Sequence, residues 1–197
     1  MQRRAAWWFG VVACAALAAP ACGSSTKTTV TTAAATTATS TGAALAGSTF
    51  TDPQGDYMMT IGSDWQDVTG KTPSVGAEIE AWLIGSADDA GFTSSVNVLT
   101  EKTGLGLSDY VKLSLSKLAP LTLIEQHQVT GPSGSKLALI EYQGVVDGSK
   151  TGTPLHFLAV VASNGDHVAL ATLTGTEAQF PIIRTTIEPY LLTLQTA

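Results

Sequence analysis

Apolar residues recur along this chain with two different periods, and the periods sort most of it into strands and helices. Tyr57–Ile61, Ser95–Thr100, Leu121–Val129, Ser135–Gln143 and Thr153–Ala162 are short runs rich in β-branched and aromatic residues, bounded by turn formers, as strands are. Thr49-Phe50-Thr51 predicts a further short strand, turned into Tyr57 by Asp52-Pro53-Gln54-Gly55-Asp56. Glu78 to Gly85 alternates more weakly around Ile79, Ala81 and Leu83, with Trp82 and Ile84 on the other face. At Leu107 the period changes. Leu107, Val111, Leu115 and Leu118 fall on one helical face with Tyr110 beside them; Ser108 is the predicted N-cap, and Pro120 stops the run. A last helix is predicted from Pro181, with Phe180, Ile183 and Ile187 on one side and Pro189 ending or kinking it. Leu192-Thr193-Leu194 then reads as a closing edge strand.

The sharpest local signal is Ser163-Asn164-Gly165-Asp166. Asn-Gly between two apolar runs predicts a two-residue type I′ turn, which sets Ser163 opposite Asp166, Ala162 opposite His167 and Phe157 opposite Thr172. One face of this hairpin shows His156, Leu158, Val160 and Ala162 with His167, Ala169, Ala171 and Leu173. The other shows Leu155, Phe157, Ala159 and Val161 with Val168, Leu170 and Thr172. Both faces are apolar, so the hairpin belongs in mid-sheet with a helix on each side. The fold class expected is α+β: an α-β-α sandwich built on an antiparallel sheet of about six to eight strands, with helices packed on its faces.

Residues 1–47 have another character. Met1-Gln2-Arg3-Arg4 is cationic, and Ala5 to Ala19 is uncharged and apolar, a run that suits a secretory leader and is short for a membrane span of about 20 residues. Leu17-Ala18-Ala19-Pro20-Ala21-Cys22-Gly23 resembles a bacterial lipobox. The resemblance implies cleavage before Cys22 and a diacylglycerol on its sulfur. Ala19 departs from the Leu, Val or Ile usual three residues before the cysteine; the alternatives are Val11-Val12-Ala13-Cys14 and plain cleavage after Ala19-Pro20-Ala21. Ser24 to Gly47 holds nine threonines and seven alanines with one charge, too little apolar surface to offset the entropy of ordering. The organisation expected is a signal peptide at 1–21, a lipidated cysteine and Thr/Ala-rich disordered tether at 22–47, and one folded domain at 48–197.

Charge and cysteines narrow the chemistry. The domain carries seven basic and sixteen acidic side chains, a net −9, so nothing in it attracts a nucleic-acid backbone. Cys14 and Cys22 both precede it, leaving no disulfide, thiol nucleophile or thiolate metal site inside. His156 and His167 share a face, but the predicted register holds them ~20 Å apart, too far to share a metal. Nothing local draws His127 to either. Asp64/Asp67 and Asp88-Asp89 lack EF-hand spacing, and Gly104-Leu105-Gly106 reads as a connector. Trp65 and Trp82 are buried anchors or pocket walls. No catalytic, cofactor-binding or metal-ligating residue is expected.

Phe50-Thr51-Asp52-Pro53, then Gly55 and Tyr57, with Trp65 soon after and Leu107-Ser108-Asp109-Tyr110 opening a helix, is similar to LpqN-type lipoproteins and the wider PsbP-like superfamily. The similarity spans about residues 49–196, with Gly131 to Tyr142, the Asn164-Gly165 hairpin and Phe180 to Leu194 in the later places. It implies the same sandwich and an accessory, ligand- or protein-binding role, and it supplies no catalytic residues. The function expected is therefore a noncatalytic lipoprotein of the bacterial cell envelope, lipid-anchored through Cys22 to the outer face of the cytoplasmic membrane. It would be a monomer that binds an envelope protein or a small apolar ligand. The alternative is an envelope hydrolase in which the fold sets His127, His156 or His167 in a cleft beside a serine or an acid.

Overall fold

A computed structural model describes residues 45–52, 54–67, 81–87, 91–145, 152 and 154–197. The leader, Cys14, Cys22, the tether up to residue 44, Glu78–Glu80 and Asp88-Asp89 lie outside the described residues. In chain order the elements are β1 (Ser48–Thr51), β2 (Tyr57–Ile61), β3 (Gln66–Asp67), β4 (Ala81–Ala87), β5 (Thr93–Lys102) and α1 (Leu107–Ser116). There follow β6 (Thr122–Thr130), β7 (Lys136–Gly144), β8 (Leu155–Ser163), β9 (His167–Thr176), α2 (Phe180–Leu191) and β10 (Gln195–Thr196). Seven strands form one antiparallel sheet in the order β3-β4-β5-β9-β8-β7-β6, and β1-β2-β10 form a second sheet of three.

The apolar two-faced hairpin, β8 and β9, sits in mid-sheet between β7 and β5. Each face closes its own core. Leu158, Val160, Ala162, Ala169, Ala171 and Leu173 pack under Phe180, Ile187 and Leu191 of α2 together with Tyr57 and Met59 of the small sheet. Phe157, Ala159, Val161, Val168 and Leu170 pack under Tyr110 and Val111 of α1, and the Tyr142 and Phe157 rings stack at 4.9 Å. The α+β sandwich is thus layered as α1, main sheet, then α2 beside the small sheet. That second sheet was not expected: β2 pairs with β1 locally, but its other partner is β10 at the far end of the chain.

Several local expectations are corrected. The hairpin pairs Ser163 with Val168, Ala162 with Ala169 and Phe157 with Thr174, two residues away from the predicted register. The turn keeps two residues but moves one position along, to Gly165-Asp166: Asn164 N–H donates to His167 O at 3.2 Å, and Asn164 Oδ1 accepts from the backbone N–H of both Asp166 and His167, at 3.0 and 2.8 Å. Because the slip is even, every side chain keeps its predicted face. Ser108 is not the N-cap of α1. Gly106 takes that position in extended conformation, and its carbonyl accepts from Tyr110 N–H at 3.0 Å. Pro189 does not end α2; it lies inside, and the helix closes through Leu192 N–H donating to Glu188 O at 3.0 Å. Residues 192–194 continue that helical bonding, so the closing strand falls at Gln195–Thr196 instead. The two-residue β3 had no periodic signal to announce it.

Candidate functional site

The main sheet carries charge in an otherwise apolar face. Register sets Glu125 of β6 directly opposite Glu141 of β7, two like charges that repel across the strands. His156 of β8 lies on the same face, opposite Gln143 and so diagonal to Glu141. Arg184 reaches down from α2 between them: its guanidinium donates to Glu125 at 2.6 Å, to Glu141, and back to Glu188 of its own helix at 2.8 Å. It is the only arginine after Arg4. Three carboxylates on one guanidinium fix where α2 sits on the sheet.

Burial sets the protonation states. Burial pushes the Glu141 carboxyl above the ordinary carboxylate value, Arg184 opposes this, and Glu125 and Glu188 push it further up. Burial works against the charge on Arg184, but Glu188, Glu125 and Glu141 together hold its pKa above the ordinary arginine value. His156 is pulled below its ordinary value, first by burial, with Glu177 raising and Arg184 lowering it. Its Nε2 lies 3.3 Å from Glu141 Oε1, near enough for an ion pair if protonated, yet neither ring nitrogen meets hydrogen-bond geometry. The ring stacks instead on Phe180 at 4.3 Å. A neutral imidazole sealed under a phenyl ring is a packing group.

Two surface grooves lie elsewhere. One, of about 720 Å³, runs along the hairpin end of the sandwich, between the start of α1, the β6–β7 turn, the β8–β9 turn and β10. Ser108, Gln128, Ser133, Ser135, Asn164 and Gln195 line it, with one acid, Asp109, and one base, Lys136. Gln128 Nε2 donates to Ser108 Oγ at 3.1 Å, Ser133 and Ser135 hydroxyls lie 2.9 Å apart, and Asn164 Nδ2 donates to the Ala197 carbonyl at 2.6 Å. The other, of about 360 Å³, lies between α2 and the β4 side of the sheet, walled by Trp65, Gly85, Ile183 and Ile187, with Ile182 73% exposed at its rim. Neither groove is lined by a histidine.

The three histidines stay apart. His156 pairs with Gly175, eight residues along β9 from His167, or ~27 Å. His167 Nδ1 faces Asp56 Oδ1 at 3.5 Å, and His127 is half-buried on β6 opposite Leu139. Among the described residues no three His, Cys, Asp or Glu side chains gather as a metal site requires. Gly106 and Leu107, at the connector ahead of α1, border the larger groove, and Trp65 walls the smaller one, while the Trp82 side chain lies outside the described residues. Sequence reasoning missed the Arg184 cluster. Its traces were a lone arginine four residues before Glu188 and an acid, Glu141, set in an apolar strand.

Comparison with solved structures defines the class: the chain has a PsbP-like α+β fold. Cyanobacterial PsbP from Synechocystis matches with a TM-score of 0.51 and 14% identity, covering 81% of this chain and 98% of that one. LpqN of Mycobacterium tuberculosis, described as involved in cell envelope biogenesis, matches with a TM-score of 0.53 and 10% identity over 77% of this chain and 86% of its own. A protein of unknown function from Pseudomonas aeruginosa matches with a TM-score of 0.51 and 19% identity over 69% and 88%. No family model matches the chain, and no curated protein does.

Proposed function

We propose that this protein is a noncatalytic, LpqN-type accessory module of the bacterial cell envelope that recognises an envelope protein at the hairpin end of its sandwich. The observation that carries the reading is the 720 Å³ groove, lined by hydroxyls and amides with one charge of each sign, on a domain whose buried apolar side chains gather in two cores. Such a lining offers donors and acceptors to a polypeptide, with Leu107 and Ala162 as apolar contacts among them. The histidine nearest a buried carboxylate, His156, is stacked under Phe180 and borders neither groove, which favours the noncatalytic reading over the hydrolase. The envelope location rests on the leader and lipobox-like Cys22, and the likeness to LpqN agrees with it in fold.

The test is recovery of a partner from detergent-solubilised membranes with the full chain as bait. A reproducible partner that is lost with Ser133→Arg, a bulky charge at the exposed rim of the groove, is the expected result. Retention of that partner by the variant would move recognition to another surface, and catalytic turnover of an envelope substrate would overturn the noncatalytic reading. Anchoring is tested separately: Cys22→Ala should shift the protein from the membrane to the soluble fraction.

A further inference from the structure

We infer that β6 is a self-pairing edge, through which two copies of this chain join their main sheets across a two-fold axis centred on Gln126. The inference stands apart from the partner proposed for the groove and departs from the monomer expected from sequence. β6 is a nine-residue strand at the end of the sheet order, paired with β7 on one side, and among the described residues no element hydrogen-bonds its outer edge. Long open edges are ready templates for another strand. The opposite end of the sheet is blunted differently, by a β3 of two residues and a register shift in β4.

The side chains on β6 select the occupant. A two-fold axis perpendicular to a sheet keeps each face on its own side, so paired residues share a face and the axis passes through a residue. Centred on Gln126, it sets Glu125 opposite the copy's His127, and His127 opposite the copy's Glu125, two complementary pairs on one face. Centred on His127, it would set two histidines against each other and Glu125 against Val129. Only the first arrangement is complementary. Glu125 remains available to the copy: its side chain is 39% exposed even with Arg184 bound. The register shift between Leu123 and Glu125 leaves the central residues straight and falls at the flank. There Leu123 and Ile124, 41% and 42% exposed, present apolar surface to the Gln128–Thr130 end of the second copy. A foreign strand would gain the same backbone bonds, but not this self-matching order of carboxylate and imidazole.

The experiment is native mass spectrometry of the full chain released from detergent micelles, with circular dichroism to check that each variant folds. The wild type is expected to give a dimer. His127→Glu, which sets acid against acid in both pairs, should lower the dimer association constant about tenfold, whereas His127→Lys should retain it. Gln126→Lys, which opposes two cations at the axis, should act like His127→Glu. A wild-type chain that is monomeric at tens of micromolar would overturn the inference. So would a dimer indifferent to His127→Glu, or one that loses His127→Lys equally. Binding of a different protein along β6 in place of the copy would overturn it as well.

Discussion

The two faces of the main sheet are buried to similar depth but closed by different chemistry. Under α1 the contact is apolar and aromatic, with Tyr142 stacked on Phe157, and the Tyr110 hydroxyl reaches Glu101 at 3.3 Å at the margin. Under α2 the apolar core is just as continuous, yet Glu125, Glu141 and His156 rise from the sheet beside Arg184 and Glu188. Apolar burial is non-directional and holds a helix by area. A guanidinium shared by three carboxylates also fixes position and rotation, at the cost of desolvating charge. The α1 face is therefore held by packing with two marginal hydrogen bonds, Tyr110 to Glu101 and Gln128 to Ser108, and the α2 face by packing plus a charged register pin.

Substitutions separate the two. The largest effect is expected from Phe157→Ala, which opens the α1 face where the ring is 1% exposed: about 4 kcal/mol in urea unfolding. Arg184→Met should cost about 2 kcal/mol, because it leaves Glu141 buried without its cation; Arg184 is 29% exposed, so solvent softens the loss below that of a fully buried pair. Adding Glu141→Leu to Arg184→Met should recover more than half of that cost. If the double variant is as unstable as the single, the pin acts through packing and the contrast between faces fails.

The third effect is pH dependence. His156 has a folded pKa below its ordinary 6.5, so the folded state binds fewer protons than the unfolded one. The stability this gives is present above pH 6.5 and is lost as pH falls through the depressed folded value. Glu141 has the opposite sign: raised above 4.5, it favours the folded state as pH falls through its own folded value. Comparing wild type with His156→Gln by unfolding between pH 7.5 and 5 isolates the histidine, and the variant should lose less stability on acidification. The smallest effect is Asn164→Ala, which removes the acceptor for two turn N–H groups at an exposed site; about 1 kcal/mol is expected in urea unfolding.

Strands and their faces were legible because period-2 alternation records which side is buried, and it survived a two-residue error in the β8–β9 register. The error itself came from a side chain. Asn-Gly alone places a two-residue turn at 164–165, and the composition of the loop does not reveal that Asn164 Oδ1 will capture two backbone donors as the turn moves to Gly165-Asp166. The small sheet was illegible for a topological reason: Gln195 pairs with Met58 across nearly the whole domain. Distance hid the charge cluster too. Arg184 meets Glu141 from 43 residues away and Glu125 from 59, and only its i,i+4 partner Glu188 leaves a local trace. The stacking of His156 was hidden in the same way, because the ring it meets comes from α2.

The proposed envelope role holds this sandwich at a membrane through one residue, Cys22. Mass spectrometry of the mature N-terminal peptide, taken from the native host, tests that directly. It should begin at Cys22 and carry a diacylglycerol on the sulfur; an uncut leader, or a Cys22 with a free thiol, would contradict the account.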